Sequence, residues 1–445
     1  MGKNWSELSS EEKREGRFKR WLSPEDVTFD SPEAEALYKE RVTRLIDAIK
    51  LKEPDRVPVV YRPGFIPARY AGYSVREVMY DSEKMTRAWL KFMNDLEHDT
   101  LPGASLVRSG EAMEILGSKM NRWAGCGLPD NVSPQYVEGE YLKADEWDAY
   151  RNDRSDFNLR TYLPRIYRAA EPFRKLPPLY ALGAFGGGGL SAFTDPEVKA
   201  AFEAFAEAEE VETKWRKAVM AVEQKGLSSG LPRFIRLAIG IGAPLDMIGA
   251  ALRGTKGMFI DMFQRPEILI EYMEDAVAKT VAGAAMLPDT GGPPVLFIPL
   301  HRGADRFMSE EQFNTFYWPY LKRNILGYIE EGFVPLLFAE GGYNSRLEII
   351  RELPRGKVIW HFDQTDMAKA KEILGDRACI MGNVPTSLLV TGTKEDVKAY
   401  CKKLIETASP GGGYILAPGA TADQAKVENL NAMLEAGKEY GVYSK

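Results

Sequence analysis

Cysteine and histidine are scarce in this chain of 445 residues, with three of each. Cys126, Cys379 and Cys401 are too few and too scattered for a disulfide framework or a CxxC zinc site, so they read as reduced thiols. No run of about 20 apolar residues occurs, which excludes a membrane-spanning helix. The opening MGKNWSELSSEEKREGRFKR lacks the apolar centre of a secretory signal, and the expected location is the cytoplasm. No block of one charge sign occurs either: the net charge of −6 is spread along the chain, which argues against a nucleic-acid partner. A run of glycines, Gly186 to Gly189, is not followed by GKS or GKT, so it reads as close backbone approach or a mobile loop and not as a nucleotide site.

What is present is an alternation of short apolar runs with charged, helix-patterned segments. From Val334 to Asn383 the runs VPLLF, VIWHF and ACIMGN read as buried strands with helices between them. Glu340 follows the first run, His361 and Asp363 end the second, and Asn383 ends the third. Ligands of parallel α/β sheets bind at the carboxyl ends of the strands, so these residues are expected to converge. The run VLFIPL adds His301, Arg302 and Asp305 just beyond its end, and the run from Arg56 to Tyr61 adds Arg62. Counted along the whole chain, the alternation gives about eight strands and predicts a (β/α)8 TIM barrel over residues 51–445. Residues 1–50 form an expected N-terminal helical extension that packs on the barrel or on a second subunit, leaving a homodimer open. Residues around 117–178, rich in Trp, Asp, Pro and Tyr, read as an inserted, loop-rich segment whose aromatics either line a pocket or pack onto the barrel.

Several segments resemble the uroporphyrinogen decarboxylase superfamily: DRVPVVYR, LRGTKGMFIDMFQRPEIL, FMSEEQFNTFYWPYLK, MGNVPTSLLVTGTKEDV, GGGYILAPG and VENLNAM. That superfamily includes the decarboxylase of haem biosynthesis and methyltransferases that exchange a methyl group with a corrinoid. In the thiol-alkylating branch a His-x-Cys pair and a late Cys bind zinc; the matching positions here are Phe338, Glu340 and Ala420, so thiolate ligands are missing. In the decarboxylase an arginine-rich MRQAGR segment binds the substrate, and YRPGFIPARY retains Arg62 and Arg69 in its place.

The FMS.EQF and EG.Y.SRLE.I.ELP.GK segments are similar to the substrate-side methyltransferase of corrinoid-dependent O-demethylases. This resemblance implies Zn2+ held by oxygen and nitrogen ligands, with Glu340 and His361 at the matching spacing. The position fifteen before Glu340 is Ile325, so a further ligand would come from His301, Asp363 or Asp305. It also implies methyl transfer from a methoxylated small molecule to a corrinoid on a separate corrinoid-binding protein, because the chain has no DxHxxG motif of its own. The expected catalytic residues are then Glu340, His361, Asp363 and His301. Arg62, Arg302, Phe338, Tyr343, Trp360 and Asn383 are expected around the substrate, the aromatic ones sandwiching an arene. The alternative is a metal-free decarboxylase or lyase acting on a carboxylated substrate through Arg62 and Arg302.

Overall fold

The computed structural model describes residues 4–182, 189–237, 242–287 and 292–443. Two capped helices open the chain. Ser9 caps Ser10–Leu22 in a reciprocal capping box with Glu12, and Ser31 caps Pro32–Ile49, which has proline in its first turn. Four helices between Ile66 and Leu116 follow, and then the stretch expected as an insertion. It holds a small sheet of β1 (Asn121–Ala124), β2 (Gly127–Leu128) and β3 (Gln135–Tyr136), in the order β2-β1-β3, followed by short helices. Trp147 and Tyr150 of this segment are buried in the main core, so these aromatics pack the insertion down.

The centre of the molecule is a parallel five-stranded sheet of β4 (Val295–Leu300), β5 (Val334–Ala339), β6 (Ile359–Phe362), β7 (Cys379–Met381) and β8 (Tyr414–Ile415), ordered as in sequence. Side chains alternate strictly between its faces. Val295, Val334, Leu336, Phe338, Ile359, Cys379, Met381 and Ile415 share one cluster with Phe18, Trp21, Tyr38 and Val42 of the first two helices. Leu296, Leu337, Trp360, Phe362, Ile380 and Tyr414 face the other way, into the cluster built with the outer helices. The first two helices lie against the amino ends of the strands: Arg17 Nε donates to Glu331 O just before β5, and Arg14 Nη1 to Gly356 O just before β6. Thus one end of the sheet is covered, and the carboxyl ends are left for a site.

Beyond the five strands the sheet continues through single bridges. Val59 pairs in parallel with Leu416, and Arg236 with Leu296. The expected first strand from Arg56 to Tyr61 is therefore shorter than its apolar run, because Pro58 has no N–H to give and accepts only, from Leu416 N. Between the two flanks, Leu101 N donates to Pro232 O, and the Asp99 carboxylate accepts from Val59 N. The topology is that of a TIM-type α/β fold, with laddered pairing over five of its strands. Among the described residues no helix is long and apolar enough to cross a membrane. Gly186, Gly187 and Gly188 of the glycine run lie outside the described residues.

Candidate active site

Register places the strand-end residues at one level. Leu300 pairs with Ala339, and Ala339 with Phe362, so His301, Glu340 and Asp363 leave the sheet side by side. Glu340 Oε2 lies 2.8 Å from His301 Nδ1, with both side chains about 41% exposed. His301 is held from beneath: its backbone N–H donates to Asp246 Oδ2 (2.9 Å), which also accepts from Tyr317 Oη (2.7 Å). Asp246 is wholly buried, and burial raises its pKa. The hydrogen bond to the Glu340 carboxylate raises that of His301, against the opposing effect of burial. An imidazole and a carboxylate joined this way, facing solvent on a buried polar support, can pass a proton to or from a bound molecule.

Arg302 turns away from this pair. Its guanidinium is buried, donates to Thr255 Oγ1 (3.1 Å from Nη2) and Asp246 O (3.3 Å from Nη1), and braces the loop instead of meeting a substrate. Asp363 Oδ2 accepts from Gly341 N (3.0 Å), which orients the turn after Glu340; burial raises the Asp363 pKa. Asn383 Nδ2 donates to the carbonyls of Asp363 and Thr365, a clamp between two strand ends. Trp360 and Tyr343 are fully buried and pack on each other, Trp360 also against Trp318, in the layer between sheet and helices. They do not form the expected arene sandwich, because their positions point them to the outer face of the sheet.

Phe338 and His361 point inward. Their rings lie 4.8 Å apart, and His361 Nε2 is 2.8 Å from Pro418 O. Burial drives the His361 pKa down to about 3, so the ring is neutral and Nε2–H is the donor. The Arg62 guanidinium sits over the rings of Phe297 (4.3 Å) and Phe338 (5.0 Å). Arg62, Phe297 and His361 line a largely apolar cavity whose far wall carries Tyr61, Trp89, Phe234 and the Arg233–Glu223 ion pair. Its lining, mostly apolar with a few polar groups, is that of a small-molecule site.

The expected pairing of Glu340 with His361 as metal ligands is not the pairing observed: the partner of Glu340 is His301. Among the described residues no three His, Cys, Asp or Glu side chains are gathered as a metal ion would need. Glu340 and His301 offer two donors, while Asp363 is engaged with the Gly341 amide and His361 Nε2 with Pro418 O. This donor set does not fit a catalytic zinc, which takes three protein ligands. The residues that sequence reasoning missed are Asp246, Phe297 and Arg233. Phe297 was within reach, because its parity along VLFIPL matches that of the other inward residues; no sequence pattern marks Asp246.

The fold and the strand-end site define a class of TIM-type α/β proteins whose ligands meet the carboxyl ends of the strands. Residues 224–440 match the family model described as uroporphyrinogen decarboxylase (URO-D). Segments of 138 and 139 residues are 31% and 30% identical to uroporphyrinogen decarboxylases of Chlorobium phaeovibrioides and Chlorobium luteolum, in each case covering 30% of this chain and 38% of the relative. A 77-residue segment is 36% identical to the methylcobamide:CoM methyltransferase MtaA of Methanosarcina barkeri, covering 17% of this chain and 22% of that one. The aligned stretches thus span little more than a third of the decarboxylases' length. A solved structure of a methyltransferase from Methanosarcina mazei superposes with a TM-score of 0.53 at 18% identity, over 89% of this chain and 98% of the other, and shares the fold. Over residues 224–440, just under half of its length, the chain is related to the uroporphyrinogen decarboxylase family.

Proposed function

We propose that the protein is a methyltransferase that moves a methyl group from a methoxylated aromatic compound to the corrinoid of a separate corrinoid-binding protein. The observation that carries this reading is the His301–Glu340 pair at the strand ends, whose carboxylate charge reaches Arg62 on the wall of the aromatic-lined cavity. The MtaA relative, matched over 77 residues, supports methyl transfer as one chemistry of the superfamily. In the reaction the methyl–oxygen bond breaks and its electron pair stays on oxygen. The methyl carbon forms its new bond to reduced cobalt, which supplies two electrons. The departing phenoxide needs a proton, and His301, hydrogen-bonded to Glu340, is the group placed to give it. A Lewis-acid metal at Glu340 and His301 would need a further donor from substrate or water, so no step is assigned to one.

A second reading, decarboxylation of an aromatic or other small acid, is favoured by Arg62, a cation on the cavity wall. The two differ in their products. Incubating the purified protein with methoxylated benzenes and benzoates plus cob(I)alamin, and separating the products by chromatography, is expected to give phenols and methylcobalamin. Release of CO2 with the methoxy group intact would overturn methyl transfer and establish the second reading.

A further inference from the structure

The His301–Glu340 pair stands on groups that the reaction as written does not use. They come from separate stretches: Asp246 from the one-turn helix Pro244–Met247, Tyr317 from the helical segment Phe313–Tyr317, and Arg302 and Gly303 from the loop after β4. On its β5 side, β4 ends with Leu300 O accepting from Glu340 N (3.2 Å). The next N–H, that of His301, goes to a side chain and donates to Asp246 Oδ2 (2.9 Å). The same oxygen accepts from Tyr317 Oη (2.7 Å). Arg302 Nη1 donates to the Asp246 carbonyl (3.3 Å) and stands 3.7 Å from Asp246 Oδ1. Asp246 is thereby fixed at its main chain and at its carboxylate. Gly303 closes over this group where a side chain has no room: a Cβ there would lie 2.5 Å from Tyr343 Oη and 2.7 Å from the Tyr317 ring. Because His301 is tethered through its own N–H, the carboxylate beneath it decides where the imidazole meets Glu340. A misplacement of about 1 Å at a reacting group costs up to about a hundredfold in rate.

We propose that Asp246, seated by Tyr317, is a positioning residue that sets the His301 imidazole at hydrogen-bond distance from Glu340. The proposal rests on the methyl-transfer reading for what the pair does, and on the geometry alone for how the pair is held.

The test is NMR of the ring nitrogens of the intact protein at one pH, where three histidines give three rings to follow. The His301 signal, assigned by its loss in His301→Asn, is displaced in Glu340→Gln, which alters the hydrogen bond between them. Asp246→Ala is expected to displace it too, with the signals of His98 and His361 in place. Asp246→Asn keeps an acceptor for the His301 N–H and falls between. Gly303→Ala, which presses on Tyr317 and deletes no polar group, displaces it as well and serves if Asp246→Ala fails to fold. A His301 signal that stays at its wild-type position in these variants overturns the inference. So does Asp246→Ala moving all three rings together, which marks a support of the whole fold. Kinetics with 4-methoxybenzoate and cob(I)alamin give the second reading: kcat falls roughly tenfold to a hundredfold in Asp246→Ala, with KM within about twofold of wild type. A loss carried by KM alone overturns positioning. Absence of methyl transfer in the wild type overturns the functional reading alone, and the ring signals then decide the role of Asp246.

Discussion

Lowering the pH from 7.5 to 5 should weaken the fold through two buried histidines. His98 is buried between Tyr61 Oη, 2.8 Å from its Nδ1, and Phe92 O, 3.2 Å from its Nε2, so the neutral ring satisfies both by donating from Nε2 and accepting at Nδ1. Burial lowers its pKa to about 4, and that of His361 to about 3. The sign follows from these depressions. Above the unfolded value of about 6.5 neither state holds the proton; below it the unfolded chain takes one that the folded chain refuses, so stability falls as pH drops toward the folded value. At pH 5 the difference amounts to about 2 kcal/mol for each ring. His301 completes the set of three histidines and runs the other way. Its pKa is raised by Glu340, so its contribution is fully present below the unfolded value and is lost as pH rises through the folded one. It therefore adds no loss on the acid side. Urea unfolding at both pH values, for wild type and His98→Gln, is the assay. The variant should be weaker at pH 7.5 by about 1 kcal/mol, for the lost Tyr61 contact, and its decline toward pH 5 should be shallower by about 2 kcal/mol. A variant with the wild-type slope, or a wild type with no slope, would refute the reasoning.

Other perturbations separate support from chemistry. Asp261 is fully buried and accepts from Arg253 Nε (2.6 Å) and Trp147 Nε1 (3.0 Å), so Asp261→Asn should cost about 3 kcal/mol in urea unfolding by leaving Arg253 only the half-exposed Glu140 as its anionic partner. Trp360→Ala should cost a similar amount, about 3–5 kcal/mol, through its cavity, yet leave the affinity for methoxyarenes unchanged; a large loss of affinity would place Trp360 in the site after all. Asn383→Ala, which frees two carbonyls, should lower the thermal midpoint and reduce activity only in proportion to unfolded protein.

Strand ends were readable because each of β4 to β6 is a short apolar run that stops at a polar residue, and the barrel rule turns that stop into a location. The same runs carried enough information to sort their aromatics. Phe338 and His361 share the inward parity, whereas Trp360 takes the opposite one, so nearness in sequence to His361 placed it wrongly. Spacing alone also paired Glu340 with His361, while the sheet puts His301 beside Glu340 through the β4–β5 register. The first strand read longer than it is, since the apolar run does not register what Pro58 withholds from the ladder. Asp246 and the cavity wall formed by 100–107 and 233–237 were illegible for a different reason. They reach the site from loops and, for Asp246, from the one-turn helix Pro244–Met247, where no periodicity marks position and tertiary packing alone decides what meets what.

The most direct measurement is the fate of an isotopic label. With 4-methoxybenzoate labelled by 13C in the methoxy group, cob(I)alamin and the purified protein, NMR should find the label on cobalt and 4-hydroxybenzoate in equal amount. The rate should fall roughly a hundredfold or more in Glu340→Gln and His301→Asn variants that remain folded. Label retained in an intact methoxy group while CO2 is released, or a rate indifferent to both substitutions, would contradict a methyltransferase built on the His301–Glu340 pair.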